Sequence, residues 1–388
     1  MGETVLHVLD GTTPADLFEG LGRKLACESR AGAAHRIVAL GHRSTRALAA
    51  AAGITRGEGD IRFVHSMGWA DPTGWRGVKR EIQELKPSCV HAWGIPGAVA
   101  AAQALSGKSA ARNGTTARVV SLAELPPKGH LRLLPMIHKG TVTGFGQPAP
   151  ACTWRVTTGW LKRELHSNGI AADAVNLVRP PLPEPTPLSP AALQAMREDL
   201  GLLPGDGPVI LLGGEGGAGG FLATPGIDPL AHGARGGPRH DLGMWAAAIL
   251  QQMFPRIRVI VREDPRGRPD AGFDRLFEHL PDNEIIIPAP ARYSWDDLLA
   301  ISDLLLVTPD GPFAGGCILH AFAAGVAVVG TPVEAVKEYL GDGVLGMLAA
   351  STKPRAIAAA IEAFFAGGPE LRERLTEEAR RKWAAVAK

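Results

Sequence analysis

Two short stretches of the chain join a buried strand to residue types that hold an anion. In the first, the apolar run 304–307 leads into Thr308-Pro309-Asp310-Gly311, and Gly315-Gly316 then precede a helix expected over 316–324. Glycines at a helix start let backbone N–H groups approach a phosphate, and the positive end of the helix dipole favours it there. The spacing predicts a seat of diphosphate size, with Asp310 and His320 in the same stretch. In the second, the run 208–212 leads into Gly214-Glu-Gly216-Gly-Ala-Gly219, a G-x-G-x-x-G match. A dinucleotide fingerprint needs a helix to open at once and an acidic residue about 20 positions on. Here Pro225, Pro229 and ten glycines between 213 and 237 keep the chain irregular to about Arg239, so the match is a decoy for NAD. Gly213 and Gly214 can still turn backbone N–H groups toward an anion, and Arg239 and Arg262 are the nearby cations.

Such residues need strand ends to position them. The apolar runs predict strands at 5–9, 36–40, 61–65, 89–93, 118–122, 152–157 and 175–178, with helices near 14–29, 43–52, 74–86, 96–106 and 158–168. Six prolines between 179 and 190 then interrupt both kinds of element and predict a linker of polyproline character. Beyond it the alternation restarts, with strands at 209–212, 258–261, 284–287, 304–307, 327–329 and 346–348. Helices are expected near 190–201, 240–253, 271–280, 295–301, 316–324, 333–340 and 353–366, and a charged one over 369–388. Short strands alternating with crossover helices imply a parallel, doubly wound sheet, here twice. Ligands of such sheets bind beyond the carboxyl ends of the strands. In the first half those ends carry Asp10–Thr13, His91, Trp93 and Glu124.

The 388 residues suffice for two domains with a core each. Lys and Arg number 41 against 39 Asp and Glu, a balance that argues against nucleic acid as a partner. Four cysteines, at 27, 89, 152 and 317, lie far apart without a C-x-x-C pair, and read as small buried hydrophobes in a reducing compartment. No run approaches about 18 uninterrupted apolar residues, so neither export nor a membrane span is expected. A cytoplasmic protein is predicted, with peripheral membrane contact left open.

The order Thr308-Pro309, His320-Ala-Phe-Ala-Ala-Gly325, Val326-Ala-Val-Val329, Glu338, Asp342-Gly343 and Gly346 resembles the group 1 retaining glycosyltransferases of GT-B fold. Ser294–Asp303 and Trp154–Gly169 are similar to the family's segments at those places. The resemblance implies an α/β chain of two Rossmann-like doubly wound domains facing a cleft: 1–180 on the acceptor side, a linker at 181–190, a nucleotide-sugar domain at 191–366, and a terminal helix, 367–388, packing back on the first domain. It implies transfer of a sugar, with retention, from a UDP- or GDP-sugar to a glycan, lipid-linked or small-molecule acceptor, without a further cofactor or a metal. The family's two glutamates, with seven residues between them, fall on Pro312 and His320. His320 can still bond a ribose hydroxyl, and Asp310 can stand in for the first carboxylate. Glu215 occupies the family's Arg position, while Arg239 matches the Lys, with Arg235 or Arg262 to assist. The family's His after the fifth strand is Ala123, followed by Glu124.

Asp310, His320 and His91 are thus the candidate catalytic residues. Gly213, Gly214, Arg239, Arg262, Gly315, Gly316, His320 and Glu338 are the candidates for holding the donor, with 288–293 as a segment for the base. Each has a structural role open to it as well: His320 as a satisfied buried histidine, His91 and Trp93 as packing groups, Asp310 as a turn cap. The alternative to an enzyme is a catalytically inactive binding or scaffolding protein that kept the fold.

Overall fold

The computed structural model describes residues 4–10, 13, 18, 21, 25, 34–41, 45, 49, 60–66, 71–106, 116–122, 131–139, 152–179, 182–185, 187–214, 239–264, 285–311 and 313–386. The helices expected at 14–29, 43–52 and 271–280 lie mostly or wholly outside these residues, as do Ala123, Glu124, Glu215, Arg235 and Pro312. The chain divides into two units, and among the described residues the division falls between Val178 and Arg179, at the head of the proline-rich stretch.

The first unit is built on β1 (Thr4–Asp10), β2 (Ala34–Leu40), β3 (Asp60–Val64), α1 (Pro72–Leu85), β4 (Cys89–Trp93), α2 (Ile95–Leu105), β5 (Ala117–Leu122), α3 (Leu134–Lys139), β6 (Cys152–Val156), α4 (Gly159–Ser167) and β7 (Val175–Leu177). Its sheet has the order β3-β2-β1-β4-β5-β6-β7 and every pairing is parallel. The helices start where side chains satisfy their orphan N–H groups. Asp71 accepts from Thr73 N ahead of Pro72 in α1, and Thr158 accepts from Leu161 N in α4. α2, Ile-Pro-Gly-Ala-Val-Ala-Ala-Ala-Gln-Ala-Leu, is apolar on every side and accordingly buried. It lies so close to β1 that a Cβ on Gly97 would stand 2.9 Å from the Val8 carbonyl oxygen. Leu6, Val8, Val90, Ala92, Val120 and Trp154 form the core with α2, while Leu9, Ile37 and Trp93 pack with Phe18, Leu21 and Leu25 in a second cluster. α3, absent from the sequence-based expectation, is only six residues long, too short for its apolar period to stand out.

The second unit holds α5 (Pro190–Asp199), β8 (Val209–Leu212), α6 (His240–Leu250), β9 (Arg258–Arg262), β10 (Ile286–Ala289), α7 (Trp295–Leu299), β11 (Leu304–Val307), α8 (Gly316–Ala324), β12 (Ala327–Gly330), α9 (Glu334–Leu340), β13 (Met347–Leu348), α10 (Pro354–Ala366) and α11 (Gly368–Val386). Its strands, again all parallel, run β10-β9-β8-β11-β12-β13. β10 lies two residues beyond the expected 284–287 and contains Pro288, which an edge strand tolerates because one side of it needs no ladder donor. The core joins Ile210, Leu212, Val259, Leu304, Leu306 and Val329 to Met244 and Leu250 of α6 and to Ile357, Ile361 and Phe364 of α10. Each such side chain, fully withdrawn from water, contributes roughly 1.5–3 kcal/mol.

Cys152 and Cys317 are buried, as the sequence implied, whereas Cys89 is half-buried and Cys27 lies outside the described residues; burial pushes the Cys152 thiol up to about 11. Among the described residues no helix is long and apolar enough to cross a membrane.

Candidate functional site

In the second sheet the strand order reverses between β8 and β11, and that is where a doubly wound sheet opens a crevice at its carboxyl edge. β8 ends there in Gly213 and Gly214. Gly213 N donates to Leu306 O at 2.7 Å, and a Cβ on it would stand 2.5 Å from Val307 Cγ1, so only glycine lets the two strand ends come this close.

α8 starts on the far side of that point. Its N-cap is Gly315, at φ 74°, and no side chain caps it. A Cβ on Gly315 would fall 2.3 Å from Cε2 of Tyr339, whose hydroxyl donates to Ala314 O at 3.0 Å and whose ring stacks on Trp383 at 5.5 Å. Tyr339 therefore presses the backbone into the shape that starts the helix. At the other end of α8, Arg380 of α11 donates to Phe322 O and Ala323 O at 3.1 and 2.9 Å, so the negative pole is met by a cation. The positive pole at Gly315 and Gly316 has no such side-chain partner among the described residues.

Arg239 spans the crevice. Its backbone is left-handed at φ 46°, and its carbonyl accepts from Thr308 Oγ1 at 2.9 Å. The guanidinium donates to both carboxylate oxygens of Asp241, at 2.8 and 2.9 Å, and to Asp310 Oδ2 at 2.5 Å. The hydrogen bond to Asp241 first, then that carboxylate's charge and the bond to and charge of Asp310, raise its pKa further above the usual arginine value. Among the described residues, Asp310 Oδ1 is buried without a hydrogen-bond partner. Asp310 and Arg239, named separately by the sequence, are thus one ion-paired cluster, and Asp241 is a member that sequence reasoning missed.

His320 is buried on α8, and its Nδ1 lies 2.6 Å from Asp296 Oδ1 at the start of α7. An ionised carboxylate only accepts, so Nδ1 carries the proton and Nε2 is the acceptor nitrogen of the ring. Asp296 too was not singled out from the sequence. The signal available was the pair of acidic residues behind Ser294, which forms a capping box with Asp297 and so turns Asp296 outward from the cap.

Arg262 ends β9, buried, where its Nε donates to Tyr293 O at 2.9 Å and its guanidinium lies over Trp295 at 5.3 Å. It braces the 290–294 loop instead of standing open at the crevice. Tyr293 in that loop donates its hydroxyl to Asp199 Oδ2 of α5 at 2.6 Å, a bond that raises the phenol and lowers the carboxyl pKa. Glu338 of α9 stands 3.9 Å from Nη2 of Arg179, which also covers Trp383 at 5.4 Å. The structure therefore brings Gly213, Gly214, Arg239, Asp310, Gly315 and Gly316 to the loops at one switch point, and puts Arg262 and Glu338 in supporting ion and ring contacts.

In the first unit the reversal falls between β1 and β4. Asp10 ends β1, buried, and its Oδ2 accepts from Gly97 N at 3.4 Å in the first turn of α2. Thr13 Oγ1 donates to Trp93 O at 3.0 Å. His91 is buried within the sheet, 2.7 Å from Ser121 Oγ and stacked on Trp93 at 4.4 Å. Trp93 Nε1 donates to His7 Nδ1 at 3.2 Å, and His7 Nε2 lies 3.1 Å from His35 Nδ1. The indole can only donate, so it fixes His7 as the Nε2–H tautomer, which in turn donates to His35. His91 thus belongs to a polar row crossing four strands. Its signal in sequence was a histidine at the same register in β1 and β4, His7 beside His91.

Comparison with known proteins fits this geometry. Residues 276–382 match the family model described as glycosyl transferases group 1. No curated protein matches the sequence. Among solved structures, a glycosyltransferase from Rickettsia africae ESF-5 is similar over 100% of this chain and 96% of its own, at TM-score 0.71 and 16% identity. Anabaena Alr3699/HepE in complex with UDP-glucose covers 99% of this chain and 95% of its own, at TM-score 0.71 and 15% identity. UDP-GlcNAc 2-epimerase from Neisseria meningitidis, bound to UDP-GlcNAc, covers 99% of each at TM-score 0.59 and 12% identity. The fold is GT-B, and its carboxyl-terminal part carries the group 1 glycosyltransferase sequence pattern.

Proposed function

We propose that this GT-B chain, with group 1 glycosyltransferase residues at 276–382, transfers a sugar from a UDP- or GDP-sugar to a hydroxyl acceptor: a glycan, a lipid-linked or a small molecule. The observation that carries the reading is the side-chain-uncapped, glycine-led start of α8 at the β8/β11 switch point, with Arg239 anchored beside it. Breaking the anomeric bond leaves negative charge on the diphosphate, and fixed N–H dipoles and a guanidinium are the groups that stabilise it without reorganisation. In this reading the α8 N-terminus and Arg239 take the diphosphate, and Gly213 and Gly214 let it approach the backbone. His320, its tautomer set by Asp296, meets the ribose, and the 290–294 loop braced by Arg262 meets the base. Transfer with retention belongs to the same reading, since a front-face departure needs no separate side-chain base. The structure of HepE with UDP-glucose supports the donor class. The reaction is assigned to the cytoplasm.

Purified protein incubated with a panel of UDP- and GDP-sugars and hydroxyl acceptors tests this by product mass, with NMR reading the anomeric configuration. Slow donor hydrolysis or transfer is the expected result, and absence of both turnover and nucleotide binding by calorimetry sinks the reading. A binding or scaffolding role is the second reading, because positions 312 and 320 carry Pro and His in place of the family's glutamates. Nucleotide binding without turnover would select it.

A further inference from the structure

In the Arg239 cluster one positive charge faces two negative ones. Asp241, two residues on, takes Nε and Nη2 in a bidentate fork that needs no tertiary contact. Asp310 comes from 71 residues away, at the far side of the crevice, and takes Nη1. A guanidinium saturated in this way is a poor receptor for a diphosphate, because its charge is already more than neutralised and the incoming anion would meet a net negative site. The Asp310 carboxylate is at the same time incompletely satisfied: one oxygen holds Arg239 while Oδ1 is buried with no hydrogen bond among the described residues. A buried, unpaired carboxylate oxygen carries a desolvation cost. The bond to Arg239 offsets part of that cost, and because Asp310 takes one bond where Asp241 takes two, Asp310 is the weaker-held of the two acids.

Resting on the donor-binding reading above, we propose that Asp310 is an internal counter-anion that occupies Arg239 until a diphosphate displaces it. Exchange leaves the Asp241 fork intact, so Arg239 keeps its orientation, and its Nη1 keeps an anionic partner because one anion replaces another. The released carboxylate turns to solvent, to which the Asp310 side chain is already partly open. Asp310 thereby sets a threshold: a ligand with one weak anionic group does not repay the lost ion pair, whereas a diphosphate bonding both Arg239 and the α8 amides does. Binding selectivity for diphosphates over monophosphates follows.

The test is calorimetric titration of the whole protein with inorganic pyrophosphate, UDP, UMP and uridine. Asp310→Asn keeps the shape and removes the charge, and Asp310→Ser is the second variant, each checked for a cooperative thermal transition. Both are expected to bind pyrophosphate and UDP about five- to twentyfold more tightly than the unaltered chain, with uridine unchanged and the UDP-to-UMP preference reduced. The gain is expected to vanish when Arg239→Ala is added. Equal or weaker pyrophosphate and UDP binding in both variants, or a gain that survives Arg239→Ala, overturns the proposal. The two readings separate cleanly. Sugar transfer by the unaltered chain without a gain in the variants leaves the function and removes the counter-anion, whereas a pyrophosphate gain in a protein that turns over no nucleotide-sugar does the reverse.

Discussion

The two sheets reverse direction at equivalent places and treat the helix beyond that point oppositely. Where β1 meets β4, the last residue of β1 is Asp10, and its carboxylate sits on the first-turn amide of α2. Where β8 meets β11, the strand end is Gly213-Gly214, and α8 begins on Gly315 with no side-chain cap. A helix N-terminus attracts an anion in either case. The first unit supplies that anion from its own chain and fills the adjoining sheet face with the His35–His7–Trp93–His91–Ser121 row. The second has no side-chain cap at that helix end among the described residues, and the proposed function gives the place to a ligand anion beside Arg239. One fold thus yields a crevice whose helix start is met by its own carboxylate and one whose carboxylates are spent on a guanidinium instead, through the residues at two strand ends.

The largest effect expected from disturbing this contrast is steric. Gly315→Ala puts a methyl against the Tyr339 ring at a φ of 74°, and should destabilise the second unit by roughly 2–4 kcal/mol in urea unfolding. Adding Tyr339→Ala should make the pair less than additive; full additivity would mean the ring does not shape the helix start. Next, Arg239→Ala should weaken UDP binding about tenfold to a hundredfold and leave uridine almost unaffected. Equal losses for both ligands would remove Arg239 from the diphosphate. Asp10→Ala should cost about 1–2 kcal/mol of stability, as loss of a helix-capping carboxylate does, without altering UDP affinity. A change in UDP binding with no loss of stability would erase the distinction between the crevices. The smallest effect is expected for Asp296→Asn, which keeps a hydrogen bond to His320: about threefold in donor KM with kcat held, and restoration of binding is not expected from Asp296→Ala. A fall in kcat alone would show that the pair acts on the reacting bond.

Much of this was legible before any coordinates. The β11 turn and Gly315-Gly316 were read from local punctuation, and α6 does begin at His240 as expected; the irregular stretch expected before Arg239 lies outside the described residues. The roles of Arg262 and His91 were not legible, because an arginine or histidine at a strand end looks the same whether it faces a ligand or, as here, a backbone carbonyl, an indole or a serine. Gly315 illustrates a further limit. Its glycine suggested a phosphate seat, yet the immediate constraint is a tyrosine ring 24 residues on.

The sequence by itself determined two βα units with a proline-rich joint, since hydrophobic period, caps and chain breakers act within a few residues of one another. Tertiary structure alone decided which charges meet. Asp10 reaches Gly97 over 87 residues, Arg239 reaches Asp310 over 71, and His320 reaches Asp296 over 24. Those pairings exist because crossover connections bring particular strand ends side by side, and strand order is a property of the folded sheet that no local pattern encodes.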